Sequence, residues 1–154
     1  MEYIIKSNSY RLLKNKLEIL TKDIDKENID YYDLFDTSIK NIIEEANYVS
    51  LFNDKKAIIV YNADIFGTKY EYKNDLEILE KYLTNPNNNT ILIFITDNVS
   101  KTKKCVKLIN EKRNLIELIK PTGDNLKKEI NNYLKNNNYK IENNALDLLI
   151  KRVD

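Results

Sequence analysis

The sequence predicts an α/β protein in which a parallel sheet is covered by helices on both faces, and three observations support this prediction. Apolar runs that favour strands alternate with amphipathic segments that favour helices as far as residue 120. Two of the runs, KAIIVY at 56–61 and TILIFIT at 90–96, are unbroken, which is typical of strands buried on both faces. After Pro121 the alternation stops, and two amphipathic helices follow one another.

Five short segments favour strands because they are rich in β-branched, aromatic and other apolar residues. They are predicted at 2–6, 28–33, 56–61, 90–96 and 114–118. Since one helical segment separates each strand from the next, we expect the strands to run parallel and to be joined by crossover helices.

The helices are predicted from residues that cap helices, followed by apolar positions spaced by three and four. The first helix follows Asn8 or Ser9, and its apolar face consists of Tyr10, Leu13, Leu17, Leu20 and Ile24. The second helix is opened by the cap-type residues at 36–38 and presents Ile39, Ile42, Ile43 and Ala46 on one face. The third and fourth helices are predicted at about 71–83 and 101–112.

The charge balance and the missing residue types exclude several classes of function. The chain has 25 basic and 24 acidic residues, so its net charge gives no argument for nucleic acid or a membrane surface. It has no histidine and one cysteine, which excludes the usual zinc and haem sites and Ser–His or Cys–His catalysis. A single cysteine also excludes an internal disulfide and fits a reducing cytoplasm. No apolar run approaches the roughly 20 residues that span a bilayer.

Pro121 and Gly123 mark the expected boundary between two domains. Residues 1–120 are predicted to form the α/β domain, and residues 121–154 the start of a small helical domain with helices at about 124–136 and 142–153. Since two helices bury little apolar surface by themselves, we expect the chain to be a fragment of a longer protein.

Four local patterns, in the same order as the predicted elements, link the chain to a known family. They are YIIKSNSY at 3–10, Ser50-Leu51-Phe52 just before KKAIIVYNAD, LTNP at 83–86 before TILIFIT, and LLIKRV at 148–153. Together they resemble the delta subunit of the bacterial DNA polymerase III clamp loader over the whole chain, although Ser7 stands where family members usually carry glycine. The resemblance implies an AAA+-like (P-loop NTPase-type) five-stranded parallel sheet, then a partial helical lid domain, with the C-terminal collar domain absent.

The residues needed for ATP hydrolysis are missing, as the resemblance implies for a family that has lost nucleotide binding. A phosphate-binding loop needs glycines and a Lys-Ser/Thr pair after the first strand, whereas Gly67 and Gly123 lie far from that strand. The third strand ends in VYN at 60–62, without an acidic pair for magnesium, and Asp64 is interpreted as a turn residue. We therefore expect no catalytic residue, no cofactor, no metal and no ATP hydrolysis. A diverged AAA+ ATPase with residual nucleotide binding is the alternative.

Leu51 and Phe52 are the strongest candidates for contact with a partner. If the second helix continues through them, they lie about 140° and 120° from the centre of its apolar stripe, whereas Val49 lies within the stripe. A large apolar pair off the core face is a candidate binding surface. The residues alone leave open the alternative that the helix ends near Tyr48 and that the pair packs beneath the next strand.

The resemblance favours the first interpretation. It implies that Leu51 and Phe52 insert into an apolar pocket of the sliding clamp (the beta subunit), that Ser50 belongs to this contact, and that Val49 and Tyr48 flank it. The protein would then help to open the clamp ring for loading onto DNA in replication. A structural clamp-loader subunit that does not touch the clamp is the alternative.

Other interactions follow from the same resemblance. The implied partners are the sliding clamp, the other clamp-loader subunits of the full-length protein and DNA within the assembled complex. No membrane partner is expected, and the implied location is cytoplasmic.

A basic cluster at the start of the predicted fourth helix, formed by Lys101, Lys103 and Lys104, is a second candidate site. These lysines are expected either to contact the phosphates of DNA threaded through a loader or to form an ordinary solvated helix face. Cys105 lies on the apolar face of the same helix and is interpreted as a small core residue.

Overall fold

The computed structural model of the protein describes residues 1–49 and 54–153. The chain divides into two compact units, Met1–Ile119 and Lys120–Asp154. The strands of the first unit are β1 (Glu2–Ser7), β2 (Ile29–Asp33), β3 (Lys56–Tyr61), β4 (Thr90–Thr96) and β5 (Leu115–Leu118). Its helices are α1 (Tyr10–Leu20), α2 (Ile39–Asn47), α3 (Lys73–Thr84) and α4 (Lys104–Glu111). The second unit contains α5 (Gly123–Asn136) and α6 (Asn143–Val153).

The five strands form one parallel sheet in the order β2-β3-β4-β1-β5. β1 lies between β4 and β5, so strands that are neighbours in sequence are not always neighbours in the sheet. Because every crossover is helical, the sheet is covered on both faces and its central strands have no solvent-exposed side. The predicted fold class, a five-stranded parallel α/β sheet, is confirmed.

Each face of the sheet packs in a separate apolar cluster, because alternate residues of a strand point to opposite faces. On one face, Ile4, Ile58 and Phe94 pack with α2, α3 and α4, and the rings of Phe94 and Phe66 meet edge to face with centroids 5.0 Å apart. On the other face, Ile59 and other β-branched residues of the central strands pack against α1. The unbroken apolar runs therefore supply both cores at once.

α1 ends earlier and α4 begins later than the sequence predicts, and in each case a local hydrogen bond marks the boundary. α1 ends at Leu20, and the hydroxyl of the next residue, Thr21, donates to the carbonyl oxygen of Leu17 at 2.9 Å. Ile24 therefore lies in the turn that follows the helix, and its side chain is buried there. α4 begins at Lys104, because Lys103 is extended and closes a turn on the carbonyl oxygen of Ser100 at 3.1 Å.

The second unit consists of two helices joined by a turn. Asn138, after α5, adopts a left-handed conformation with φ of 62°, and the next amide, that of Tyr139, donates to the carbonyl oxygen of Leu134 at 2.8 Å. This arrangement ends α5 and turns the chain toward α6. An ion pair of 2.6 Å between Lys127 and Asp147 links the two helices. The assignment of this unit as the start of a lid domain stays a prediction.

None of the helices in the described part of the chain is long and apolar enough to cross a bilayer.

Replacing Phe94 by alanine tests the larger core. The ring is fully buried, so Phe94→Ala should lower the free energy of unfolding by about 3–5 kcal/mol, measured by urea denaturation. The control is Phe35→Ala, since Phe35 is 73% exposed and its loss should change stability by no more than about 0.5 kcal/mol. Equal losses for the two variants would contradict the packing described for this face.

Candidate functional site

The C-terminal end of α2 leads into the segment for which the sequence predicts a partner contact. α2 begins where the hydroxyl oxygen of Ser38 accepts a hydrogen bond from the amide of Asn41 at 3.2 Å. Its buried face is Ile39, Ile42, Ile43 and Ala46, as the spacing predicts. The helix ends at Asn47, and Tyr48 has the extended angles φ −64° and ψ 128°. The chain therefore leaves the helix at Tyr48.

Side chains from the sheet and its turns fix the last turn of α2. The carbonyl oxygen of Ala46 accepts from the hydroxyl of Thr90 at 2.9 Å and from the side-chain amide of Asn87 at 3.1 Å. The carbonyl oxygen of Glu45 accepts from the ammonium group of Lys56. Helix ends leave carbonyl groups without partners in the helix, and these donors supply partners from β3, β4 and the turn before β4.

Lys56 also organises the side chains around this helix end. Its ammonium group forms an ion pair of 2.8 Å with the carboxylate of Glu45 and lies 5.2 Å from the centre of the Tyr48 ring. The Lys56 side chain is only 14% exposed, and a cation is favourable at a helix C-terminus. One lysine at the start of β3 thus holds the helix end and the first residue beyond it.

Tyr48 and Val49 project into solvent from this fixed helix end. Tyr48 is 61% exposed and Val49 is 55% exposed. The expectation that Val49 lies within the buried stripe of α2 is wrong, because the helix ends at Asn47 and its periodicity no longer applies at residue 49. Both flanking residues are therefore exposed immediately after the end of α2.

Ser50, Leu51 and Phe52 lie outside the described residues. Their orientation off the core face applies only if α2 continues to residue 52, whereas α2 ends at Asn47, as in the alternative in which the helix ends near Tyr48. The packing of the pair beneath the next strand, the other half of that alternative, is untested. Their contact with a partner stays a prediction, supported by the resemblance and by the exposed neighbours Tyr48 and Val49.

The three lysines of the second candidate site have separate partners in the protein. Lys101 pairs with Glu117 at 2.9 Å, and this hydrogen-bonded cation lowers the pKa of the Glu117 carboxyl group. Lys104 pairs with Glu80 at 3.1 Å, and the side chains of Lys101 and Lys104 are 70% and 69% exposed. Both lysines therefore face solvent, and their contact with DNA stays a prediction.

Lys103 differs from its two neighbours because its ammonium group is directed into the protein. It donates to the carbonyl oxygens of Ile65 at 2.9 Å and Tyr70 at 2.8 Å, and it lies 5.4 Å from the centre of the Tyr70 ring. Burial lowers the pKa of Lys103. The Lys103 ammonium group thus links the loop after β3 to the start of α4. To contact DNA as predicted, the ammonium group would have to break these hydrogen bonds.

The connection from β1 to α1 has no room for a phosphate-binding loop. β1 ends at Ser7 and α1 begins at Tyr10. The hydroxyl oxygen of Ser7 accepts from the amide of Ser9 at 3.2 Å, and the hydroxyl oxygen of Ser9 accepts from the amide of Leu12 at 3.5 Å. The two serine hydroxyl groups therefore accept hydrogen bonds from backbone amide groups. In a phosphate-binding loop, amide groups of this kind donate to the phosphate.

The end of β3 likewise provides no acidic pair. After β3, Asn62 adopts φ of 52° and its side-chain amide donates to the carboxylate of Asp33 at 2.6 Å. Asp64 lies in a 3₁₀ turn that runs to Phe66. Within residues 1–49 and 54–153, no group of three or more acidic or cysteine side chains could hold a metal ion. Cys105 is fully buried in α4, and burial raises the pKa of its thiol.

Sequence reasoning missed Lys56, Asn87 and Thr90, which hold the end of α2. Lys56 and Thr90 are predicted only as the first residues of strands, and no role is predicted for Asn87. Their partners are backbone carbonyl groups 11, 41 and 44 positions away in the sequence. Because backbone carbonyl groups have no sequence signature, no pattern in the chain identifies these contacts.

A parallel sheet in this strand order has the AAA+-like fold, and a two-residue connection joins β1 to α1 where a phosphate-binding loop would stand. Residues 2–119 match the family model for DNA polymerase III, delta subunit. This match covers most of the chain, and the chain therefore belongs to the DNA polymerase III delta subunit family.

Two solved structures have a similar fold. The DNA clamp loader delta protein of Bacillus subtilis matches with a TM-score of 0.77 and 16% identity, over 97% of this chain and 47% of that one. A DNA polymerase III, gamma subunit-related protein from Thermotoga maritima matches with a TM-score of 0.50 and 14% identity, over 100% and 50%. The chain thus spans about half the length of these proteins. No curated protein sequence is significantly similar to it.

Removing the ammonium group of Lys56 tests the anchoring of α2. Lys56→Met should lower the free energy of unfolding by about 1–2 kcal/mol, because it removes charge-assisted bonds to Glu45 that are largely shielded from water. Amide exchange at Tyr48 should also become faster, which hydrogen exchange measures directly.

The control for this change is Lys40→Met. Lys40 forms an exposed ion pair of 3.8 Å with Glu44 on the same helix, so its loss should change stability by no more than about 0.5 kcal/mol. Unchanged exchange at Tyr48 in Lys56→Met would count against the anchoring role.

Proposed function

We propose that this chain binds the sliding clamp through a continuous surface formed by residues 48–52, and that it helps to open the clamp ring for loading onto DNA. The single observation that supports this most is the exposure of Tyr48 and Val49 on an anchored helix end, in a member of the delta subunit family. Leu51 and Phe52 are proposed to enter an apolar pocket of the clamp, with Ser50 at the edge of the contact.

The anchoring of α2 gives this surface a physical advantage as a binding site. Binding costs less free energy when the contacting residues are already ordered before the partner arrives. The bonds from Thr90, Asn87 and Lys56 fix the end of α2, so Tyr48 starts from a defined position. Large apolar side chains on a fixed support are the residues expected to dominate a protein interface.

Ring opening is proposed to follow from differential binding. A protein shifts its partner toward the conformation that it binds more tightly, by the difference between the two binding free energies. If the clamp pocket accepts Leu51 and Phe52 better when a ring interface is loosened, docking favours the open ring. The mechanism needs no nucleotide hydrolysis by this chain.

The other interactions of the full-length protein are part of the same proposal. Assembly with the remaining clamp-loader subunits is assigned to the collar domain that the family uses for this purpose. Lys101 and Lys104 are proposed as DNA phosphate contacts within the assembled loader, since both side chains are exposed. Lys103 is the weakest of the three candidates, because its ammonium group already has two carbonyl partners.

Clamp binding is tested by the double substitution Leu51→Ala and Phe52→Ala. Affinity for the cognate sliding clamp, measured by calorimetry, should weaken by about 2 kcal/mol or more, as expected for a central apolar anchor. Phe35→Ala is the control, since it removes an exposed ring elsewhere and should leave the affinity unchanged. If the double variant folds and binds the clamp as tightly as the wild type, the chain is better explained as a structural subunit.

Nucleotide binding is tested separately by thermal unfolding. ATP, or a non-hydrolysable analogue with magnesium, should leave the melting temperature unchanged, because a ligand that binds only the folded state would raise it. A concentration-dependent rise would favour the alternative of a diverged ATPase with residual nucleotide binding.

A further inference from the structure

β2 is an edge strand of the sheet, and one of its sides has no neighbouring strand. Among the described residues, β3 is the only strand that pairs with β2. The amide of Leu34, just after β2, donates to the carbonyl oxygen of Tyr61 in β3 at 3.2 Å. Because the backbone groups of alternate residues point to opposite sides of a strand in a parallel sheet, the amide and carbonyl groups of Tyr31 face the open side. Backbone groups at an open sheet edge are a template for another extended chain.

An aromatic groove of about 300 Å³ lies beside this edge, between α1 and the strands β2 and β3. Tyr31 lies opposite Ile59 in the sheet register, so its ring is on the face that α1 covers. Three aliphatic residues line the groove together with six others: Tyr10, Tyr31, Tyr61, Lys14, Glu18 and Thr21. Tyr10 and Tyr31 are 81% and 62% exposed. An apolar side chain from a strand added beside β2 would enter this groove.

The edge is also strongly acidic. Residues 23–36, which contain β2 and the turns on either side of it, hold six acidic residues and one lysine. The acidic residues are Asp23, Asp25, Glu27, Asp30, Asp33 and Asp36. Asp25, Glu27 and Asp36 are exposed, and they form no ion pair with any residue that the structure describes. Since the net charge of the whole chain is +1, this edge is a local concentration of negative charge.

The charge of the edge decides between the candidate occupants. Two copies of the chain paired edge to edge would bring two acidic surfaces together, and like charges on neighbouring strands are destabilising. The phosphate groups of a nucleic acid would be repelled for the same reason. A basic polypeptide in an extended conformation is attracted by the acidic residues and can also form backbone hydrogen bonds with the open side of β2.

We propose that the β2 edge binds a basic, extended segment of a partner protein by strand addition, with apolar side chains of that segment in the groove beside Tyr31. Tyr31 and Asp30 are adjacent in β2 and therefore point to opposite faces of the sheet. A segment that alternates apolar and basic residues would place its apolar side chains beside Tyr31 and its basic side chains beside Asp30. The inference does not depend on clamp binding, because residues 48–52 take no part in it.

The charge preference is tested with a synthetic peptide of about ten residues that alternates lysine and valine. In an NMR titration of the intact chain, this peptide should shift the amide resonances of residues 29–33. It should bind at least about tenfold more tightly than a peptide that alternates glutamate and valine, because only the lysine peptide complements the edge.

A charge-neutralised variant localises the effect to this edge. The triple change Asp25→Asn, Glu27→Gln and Asp36→Asn should weaken binding of the lysine peptide about fivefold. The matched control changes three exposed glutamates outside residues 23–36 and alters the net charge equally; its substitutions are Glu71→Gln, Glu77→Gln and Glu111→Gln. This control should bind the lysine peptide as tightly as the wild type does.

Backbone pairing is tested separately from charge. Tyr31→Pro and Tyr31→Val both remove the ring, but only proline removes the amide on the open side of β2, where no bond to β3 is lost. The proline variant should bind the lysine peptide about fivefold more weakly than the valine variant. With the unchanged protein, N-methylation of either all valine or all lysine amides of the peptide should abolish binding in one of the two cases, because only alternate amides face β2.

Several outcomes would overturn the inference. Equal binding of the lysine and glutamate peptides, or of the lysine peptide by the two Tyr31 variants once circular dichroism shows both to be folded, rules out strand addition by a basic segment. If Tyr31→Pro does not fold, the N-methylated peptides decide, and undiminished binding of both excludes backbone pairing. Shifts at residues 29–33 caused by single-stranded DNA, or by concentrating the protein alone, would identify a nucleic acid or a second copy as the occupant instead.

Discussion

The proposed binding surface depends on the hydrogen bonds that satisfy the carbonyl groups at the end of α2. Ala46 is fully buried, so its carbonyl group needs partners inside the protein. Thr90, from the start of β4, and Asn87, from the preceding turn, supply them. The same bonds that avoid the cost of unsatisfied buried groups also fix the position of Tyr48. The same hydrogen bonds therefore stabilise the fold and position the proposed binding surface.

The turns at the carboxyl edge of the sheet are held by contacts within the protein. Side-chain hydrogen bonds of Ser7, Ser9 and Asn62 occupy the turns after β1 and β3. Lys103 is bonded to two carbonyl groups of the loop after β3. These contacts make the edge a structural part of the protein, and the functional surface proposed here lies at the opposite, amino edge.

The proposed clamp contact would be well served by this division of the molecule. Strands buried on both faces give a rigid support, while the end of α2 at the amino edge presents Tyr48 and Val49 to solvent. Rigid supports favour binding because few degrees of freedom are lost on association. A rigid domain of this kind suits the proposed role, in which the end of α2 contacts another protein.

The sequence by itself determined the five strands, their parallel direction and the helices between them, because unbroken apolar runs and three-to-four spacing are local signals. It also excluded the usual zinc and haem sites and histidine-dependent catalysis, since the chain contains no histidine and one cysteine. The end of α2 at Asn47, the exposure of Val49 and the inward direction of Lys103 were decided only by the tertiary structure. The physical reason is that each of these features depends on a hydrogen bond to a backbone carbonyl group or on the residue at which a helix ends. Neither leaves a pattern in the amino-acid sequence.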